Sequence, residues 1–213
     1  MVLSPISDVW KTIEQDLQIF QKDNFDQIPS VSGVYAWFYP LHVTSYDLEE
    51  FLEEVRGVHL YDATEAGTPK LKRDGVARLG WSSLKWDGFI QLENPPTDIS
   101  PTIRSAWEEL KTDDGNFDSL RRVFMRASLL MPTLYVGKAK VLRDRCHRHI
   151  DGRSDFSTRY KKRAEQLELK CQEVSDLLLV SLTTSEVGKE DEEAEVVVEK
   201  VLNLVARPPY GIR

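Results

Sequence analysis

Between Leu134 and Ile150 the chain brings a phenol, a guanidinium and an imidazole into one short strand and one helix. Leu134-Tyr135-Val136 reads as an apolar strand, and Gly137 breaks it, as a tight turn or a close backbone approach requires. A helix reads from about Val141 onward, where Leu142, Cys146 and Ile150 recur at helical spacing as an apolar edge. Arg145 and His149 sit one turn apart beside that edge. A cation and an imidazole held there face a cleft shared with Tyr135. Groups of this kind bind anions and move protons.

The surrounding charge is uneven. From Lys138 to Arg163 the basic residues are Lys138, Lys140, Arg143, Arg145, Arg148, Arg153, Arg159, Lys161, Lys162 and Arg163. The acids in that run are Asp144, Asp151 and Asp155. The stretches Asp47 to Glu54 and Glu186 to Glu199 are acidic, and the net charge is −7. That balance argues against a protein that coats nucleic acid indiscriminately.

Two short motifs carry a family likeness. Tyr135-Val136-Gly137 has an upstream counterpart in Gly33-Val34-Tyr35, preceded by Ile28-Pro29-Ser30-Val31-Ser32. Tyr135 to Lys140 is followed by Leu142, Arg145 and His149, and Glu199 leads into Pro208-Pro209-Tyr210. In this order the residues resemble the GIY-YIG endonuclease superfamily, whose members include excision-repair nucleases and phage homing endonucleases. The likeness implies hydrolysis of DNA phosphodiester bonds at a single-metal site holding magnesium or manganese. It implies Glu199 as the metal ligand and Arg145 as the phosphate clamp, a role that suits a planar, permanently charged fork. Either Tyr35 or Tyr135 would orient or deprotonate the attacking water. A free phenol has a pKa of about 10, so the base role needs a cation nearby. His149 would support the phosphate or relay a proton. Lys138, Lys140, Arg143 and Arg148 are the expected nucleic-acid contacts.

Each residue taken singly has a plainer reading. The tyrosines suit a core strand, Arg145 and His149 suit a helix surface, and Glu199 shares a polar flank with Glu195 and Asn203. Cys146 with His147 and His149 has no second ligand cluster to complete a structural zinc site. Cys146 and Cys171 therefore read as free thiols.

The 213 residues are 41% hydrophobic and 30% charged, ordinary for a globular protein with a sizeable core. No apolar run reaches membrane-spanning length, and Met1-Val2-Leu3-Ser4-Pro5 lacks a signal-peptide pattern, so the expectation is a cytoplasmic protein with no membrane partner. Ile6, Trp10, Ile13, Leu17 and Phe20 follow helical spacing, and Val34 to Tyr39 reads as a strand. Strands are also expected over Val76 to Trp81 and Trp86 to Leu92, around a turn at Asp87-Gly88. Helices are expected over Tyr46 to Val55, from Ser100-Pro101 to Lys111, from Phe117 to Leu130 and from Phe156 to Lys170. Leu177 to Leu182 reads as a buried strand. Ala194, Val197, Val198, Val201, Leu202 and Val205 draw an apolar stripe on a last helix, and because valines are poor helix formers tertiary packing must hold it.

The fold expected is α+β, with a small antiparallel or mixed three-stranded sheet flanked by helices. Residues 1–40 and 132–213 would form the nuclease-like core and 41–131 an inserted α+β subdomain. Family members often carry asparagine after Pro-x-Tyr, where this chain has Gly211. With the acidic net charge, that departure supports an alternative, a nuclease fold serving as a nucleic-acid or protein adaptor. With the chain ending at Arg213, recognition falls to the insertion, to the N-terminal helix or to a partner protein in a restriction, repair or anti-phage system. The insertion's Trp81 and Trp86, with Lys70, Lys72, Arg73, Arg78 and Lys85, offer an aromatic and basic mix.

Overall fold

A computed structural model describes residues 16–43, 46–59, 99–184, 192–206, 208 and 210. In chain order they form β1 (Leu17–Phe20), β2 (Gly33–Phe38), α1 (Leu48–His59), α2 (Pro101–Lys111), α3 (Asp114–Ala127), β3 (Tyr135–Ala139), α4 (Leu142–Ile150), α5 (Asp155–Gln166), β4 (Leu178–Thr183) and α6 (Glu192–Ala206). Short 3₁₀ turns lie at Lys22–Gln27, Ser128–Leu130 and Val174–Asp176. The chain divides into two compact units, residues 1–42 with 122–213, and residues 43–121. Among the described residues no helix is long and apolar enough to cross a membrane.

The first unit holds an antiparallel sheet in the order β1-β4-β2-β3. It has four strands where three were expected. The additional one, β1, includes Leu17 and Phe20, whose spacing also fits a helix. Pairing decides between the two: Leu17 lies opposite Leu182 and Phe20 opposite Leu179. Four residues are too few for periodicity to tell a strand from a helical turn. The rest of the expected N-terminal helix, and the expected strands around Asp87-Gly88, lie outside the described residues.

Strand side chains alternate between the two faces of the sheet. One face presents Tyr35, Trp37, Tyr135, Leu179 and Ser181, all buried. Its rings meet those of α4 and α5: Trp37 lies edge-on to His149, and Tyr135 stacks on Phe156 at 4.6 Å. On the other face Leu17 and Ile19 are exposed, with Val180 and Leu182 half-buried. Gly137 does not end β3. It lies within the strand, opposite Tyr35. A Cβ there would stand 2.5 Å from Tyr35 Oη and 2.8 Å from Tyr135 Cε1. Close approach of a ring to the backbone is what requires this glycine.

Helix α6 packs along β3 and β2. The expected burial of its apolar stripe is corrected here: Val197, Val198, Val201 and Leu202 are all exposed. The helix is tied to the sheet through a polar group, Asn203 Nδ2, which donates to the Val136 carbonyl at 3.5 Å. Beyond it, Tyr210 is buried against Phe156 and Tyr160, and its N–H donates to the Leu134 carbonyl at 3.0 Å.

In the second unit, Ser100 caps α2 by accepting from the Thr102 N–H, with Pro101 in the first turn, as the sequence predicts. Trp107 is its buried centre. It stacks on Phe51 and donates from Nε1 to the Tyr46 carbonyl at 2.8 Å.

Candidate active site

The register of β2 on β3 sets Tyr35 opposite Gly137 and Trp37 opposite Tyr135. Tyr35 and Tyr135 therefore share a face as diagonal neighbours, with ring centroids 6.1 Å apart. The start of α4 is fixed on the chain leading into β2. Leu142 N–H donates to the Val31 carbonyl at 2.9 Å and Arg143 N–H to that of Pro29 at 3.1 Å. These bonds satisfy donors that a helix start leaves open. Arg143 extends the same tie: Nε reaches the Ile28 carbonyl at 2.8 Å and Nη2 that of Asp26 at 3.1 Å. Its guanidinium straps the loop to the helix.

So anchored, α4 directs Arg145 and His149 at the tyrosines. Arg145 Nε donates to Tyr35 Oη at 3.3 Å, and both tyrosines favour the charged guanidinium. Tyr35 Oη lies 2.7 Å from His149 Nε2, and His149 Nδ1 lies 2.6 Å from Ser154 Oγ. Ser154 is the N-cap of α5, where its Oγ accepts from the Ser157 N–H at 3.1 Å. One assignment of protons satisfies the whole line. Arg145 donates to Tyr35, Tyr35 donates to His149 Nε2, and His149 Nδ1–H donates to Ser154. The opposite imidazole tautomer leaves the buried Tyr35 proton without an acceptor, which is costly.

The electrostatics agree with that assignment. His149 is fully buried. Burial first, then the charges of Arg145 and Arg148, push its pKa down to about 3, so the imidazole is neutral. Burial, followed by the neighbouring Tyr135, raises the Tyr35 pKa well above the ordinary phenol value, although Arg145 pulls the other way. Tyr35 keeps its proton. Cys146 is free and buried on the apolar edge of α4, and burial pushes its thiol up to about 12. It is an inert packing residue.

Above this network lies a hollow of about 120 Å³, lined by Tyr135, Arg145, Arg148, Arg153, Arg159 and the start of α5 from Ser154 to Phe156. A wider hollow of about 530 Å³ lies elsewhere, along α5 and the Val174–Asp176 turn. Its Lys161 is paired with Glu173, so its charges offset one another.

The structure thus gathers Tyr35, Tyr135, Arg145 and His149, and sets Arg148 on the wall beside them. Lys138 pairs with Val34 in the register, on the face away from the tyrosines, and Lys140 is exposed just past β3. Glu199 is half-buried on α6, and among the described residues its side chain makes no hydrogen bond or ion pair with the other four. Within the same set no three His, Cys, Asp or Glu side chains are grouped to hold a metal. The fit to a hard cation rests on oxygen donors of a different kind. Asn203 lies one turn on from Glu199, and its Oδ1 is buried without a hydrogen-bond partner. A carboxylate and an amide oxygen suit magnesium, which keeps most of its waters and takes phosphate oxygens from a substrate.

Sequence reasoning missed Ser154, Ser157 and Phe156. The first had a legible signal, since a serine before a helix beginning at Asp155 is a favoured cap. Its second bond, to His149, belongs to the tertiary structure. Comparison with family models, with curated proteins and with solved structures found no match.

Proposed function

We propose that this protein is a metal-dependent endonuclease of GIY-YIG type that hydrolyses phosphodiester bonds in DNA. The observation that carries the reading is the convergence of Tyr35, Tyr135, Arg145 and His149 beside an arginine-walled hollow. Arg145 is the phosphate clamp, its fork aimed where charge develops on the phosphate oxygens. The two tyrosines take different parts. Tyr35 is buried, and its proton is committed to His149, so it positions Arg145. Tyr135 lines the hollow and is the tyrosine that orients the attacking water. His149 holds Tyr35 as a neutral acceptor rather than as a general acid. A divalent cation, magnesium or manganese, supplies Lewis-acid stabilisation of the phosphate when bound. Glu199 would hold it, with Asn203 as the neighbouring oxygen.

The test is plasmid cleavage by purified protein with magnesium or manganese. Wild type nicks or cuts, whereas Arg145→Ala and Glu199→Ala do not. Equal cutting by wild type and variants would reveal a contaminant and end the assignment.

A second reading has its own observation. Tyr35 and His149 are buried and bonded to each other, and among the described residues the Glu199 side chain makes no hydrogen bond to either. A fold of this kind would serve as an adaptor for nucleic acid or for a partner protein that supplies targeting. Calorimetry separates the two: manganese affinity that depends on Glu199 favours the nuclease, and no metal affinity with DNA present favours the adaptor.

A further inference from the structure

We propose that the 120 Å³ hollow seats a backbone phosphate of the nucleic-acid strand, anchored by Arg148, Arg153 and Arg159. The inference rests on the nucleic-acid reading above and names the group that this part of the site takes. Arg145 engages the tyrosines, but the other three arginines stand outside that network. They come from three places: α4, the loop after it, and α5. Among the described residues the Arg148 side chain makes no hydrogen bond or ion pair, while its carbonyl accepts from the Arg153 N–H at 2.9 Å. Arg153 is held by Asp151. Arg159 donates from Nη2 to the Tyr210 carbonyl at 2.8 Å and from Nε to that of Asp155 at 3.2 Å. Those two bonds fix the plane of its guanidinium and leave Nη1 without a hydrogen bond among the described residues.

Four guanidinium groups around one small space repel each other even with Arg153 paired to Asp151, and the wall itself holds one acid, Asp155. An anion relieves that repulsion, and the fork geometry suits phosphate oxygens. The hollow is no seat for a base. The aromatic face on its wall is occupied, because Phe156 is stacked on Tyr135. A base would need such a face free.

The test measures binding without turnover. Fluorescence anisotropy of a labelled duplex oligonucleotide is followed across a salt series in chelator, for wild type, Arg148→Ala, Arg153→Ala and the control Lys162→Ala. Lys162 lies on the other hollow. Thermal melts check that each variant is folded. Arg148→Ala and Arg153→Ala should each weaken binding roughly five- to tenfold and lower the salt slope by about 0.9. Lys162→Ala should bind as wild type. Inorganic phosphate should displace the oligonucleotide from wild type more strongly than chloride at matched ionic strength.

An equal loss in Lys162→Ala would mean a diffuse basic surface and overturn the proposal. Phosphate binding without oligonucleotide binding would mean a free-anion site and overturn it also. If wild type cuts DNA while Arg148→Ala and Arg153→Ala bind normally, the anchor fails and the nuclease reading stands. If the variants bind weakly as expected but wild type never cuts, the anchor stands and the nuclease reading fails.

Discussion

Around Tyr35 the hydroxyl, imidazole and serine groups are bonded end to end, and the rings beside them are stacked. Along α6 Val197, Val198, Val201 and Leu202 stand in solvent, the Glu199 side chain has no hydrogen-bond or ion-pair partner among the described residues, and the Asn203 amide ties the helix to β3. Both regions contribute to the proposed site, yet they are built in opposite ways. The tyrosine cluster doubles as core, so its polar groups must be satisfied or the fold weakens. On α6 the Glu199 carboxylate is half-buried and unbonded among the described residues, so changing it removes no polar contact. Stability and activity therefore separate differently in the two regions.

The sharpest break is in cleavage. Arg145→Ala should lower the rate at least about 100-fold. Glu199→Ala should abolish cutting while changing unfolding free energy by less than about 0.5 kcal/mol in a denaturant titration. A large stability loss in Glu199→Ala would mean that α6 is packed more tightly than its exposure implies.

His149 reverses that pattern. His149→Ala leaves the buried Tyr35 hydroxyl proton without an acceptor and opens a void, at a cost of about 3 kcal/mol. The same imidazole predicts an acid sensitivity. It titrates at 6.5 in the unfolded chain and at about 3 in the fold. Between those values the unfolded chain binds a proton that the folded one does not. The contribution is complete above 6.5 and is lost as pH falls toward 3, at up to about 1.4 kcal/mol per pH unit. Urea titrations from pH 7 to pH 4 should show a steeper decline for wild type than for His149→Gln. Parallel declines would place a proton on the imidazole in the folded state.

Gly137→Ala should cost about 2 kcal/mol, because the new methyl meets the Tyr35 ring and its hydroxyl. A melt unchanged from wild type would show that the strand can shift away from the ring. The smallest effect belongs to the other region. Val201→Lys on α6 should change stability by no more than about 0.5 kcal/mol. A loss of several times that would show that something covers the stripe.

Much of the fold was readable because local patterns and tertiary demands coincided. The alternation at Val34 to Tyr39, the Ser100-Pro101 start and the Leu177 to Leu182 run each report a burial pattern that the strand or helix then satisfies. Where the two diverged, the reading failed. Leu17 and Phe20 fit a helix until β4 offers a partner, and the α6 stripe looks like a core face although the described unit leaves it open. Arg143 looked like its basic neighbours on the helix, and only the position of the Asp26 and Ile28 carbonyls shows what it does.

The amino-acid sequence alone determined which groups are present and their local spacing: a tyrosine before a glycine, an arginine and a histidine one turn apart, a serine ready to cap a helix. Such spacing follows from the periods of strand and helix, which the backbone sets. The tertiary structure alone decided that Tyr35 and Tyr135 share a face, that Tyr35 gives its proton to His149, and that Arg153 and Arg159 join Arg145 and Arg148 around one hollow. Those outcomes depend on register and burial, which arise when distant segments exclude water together.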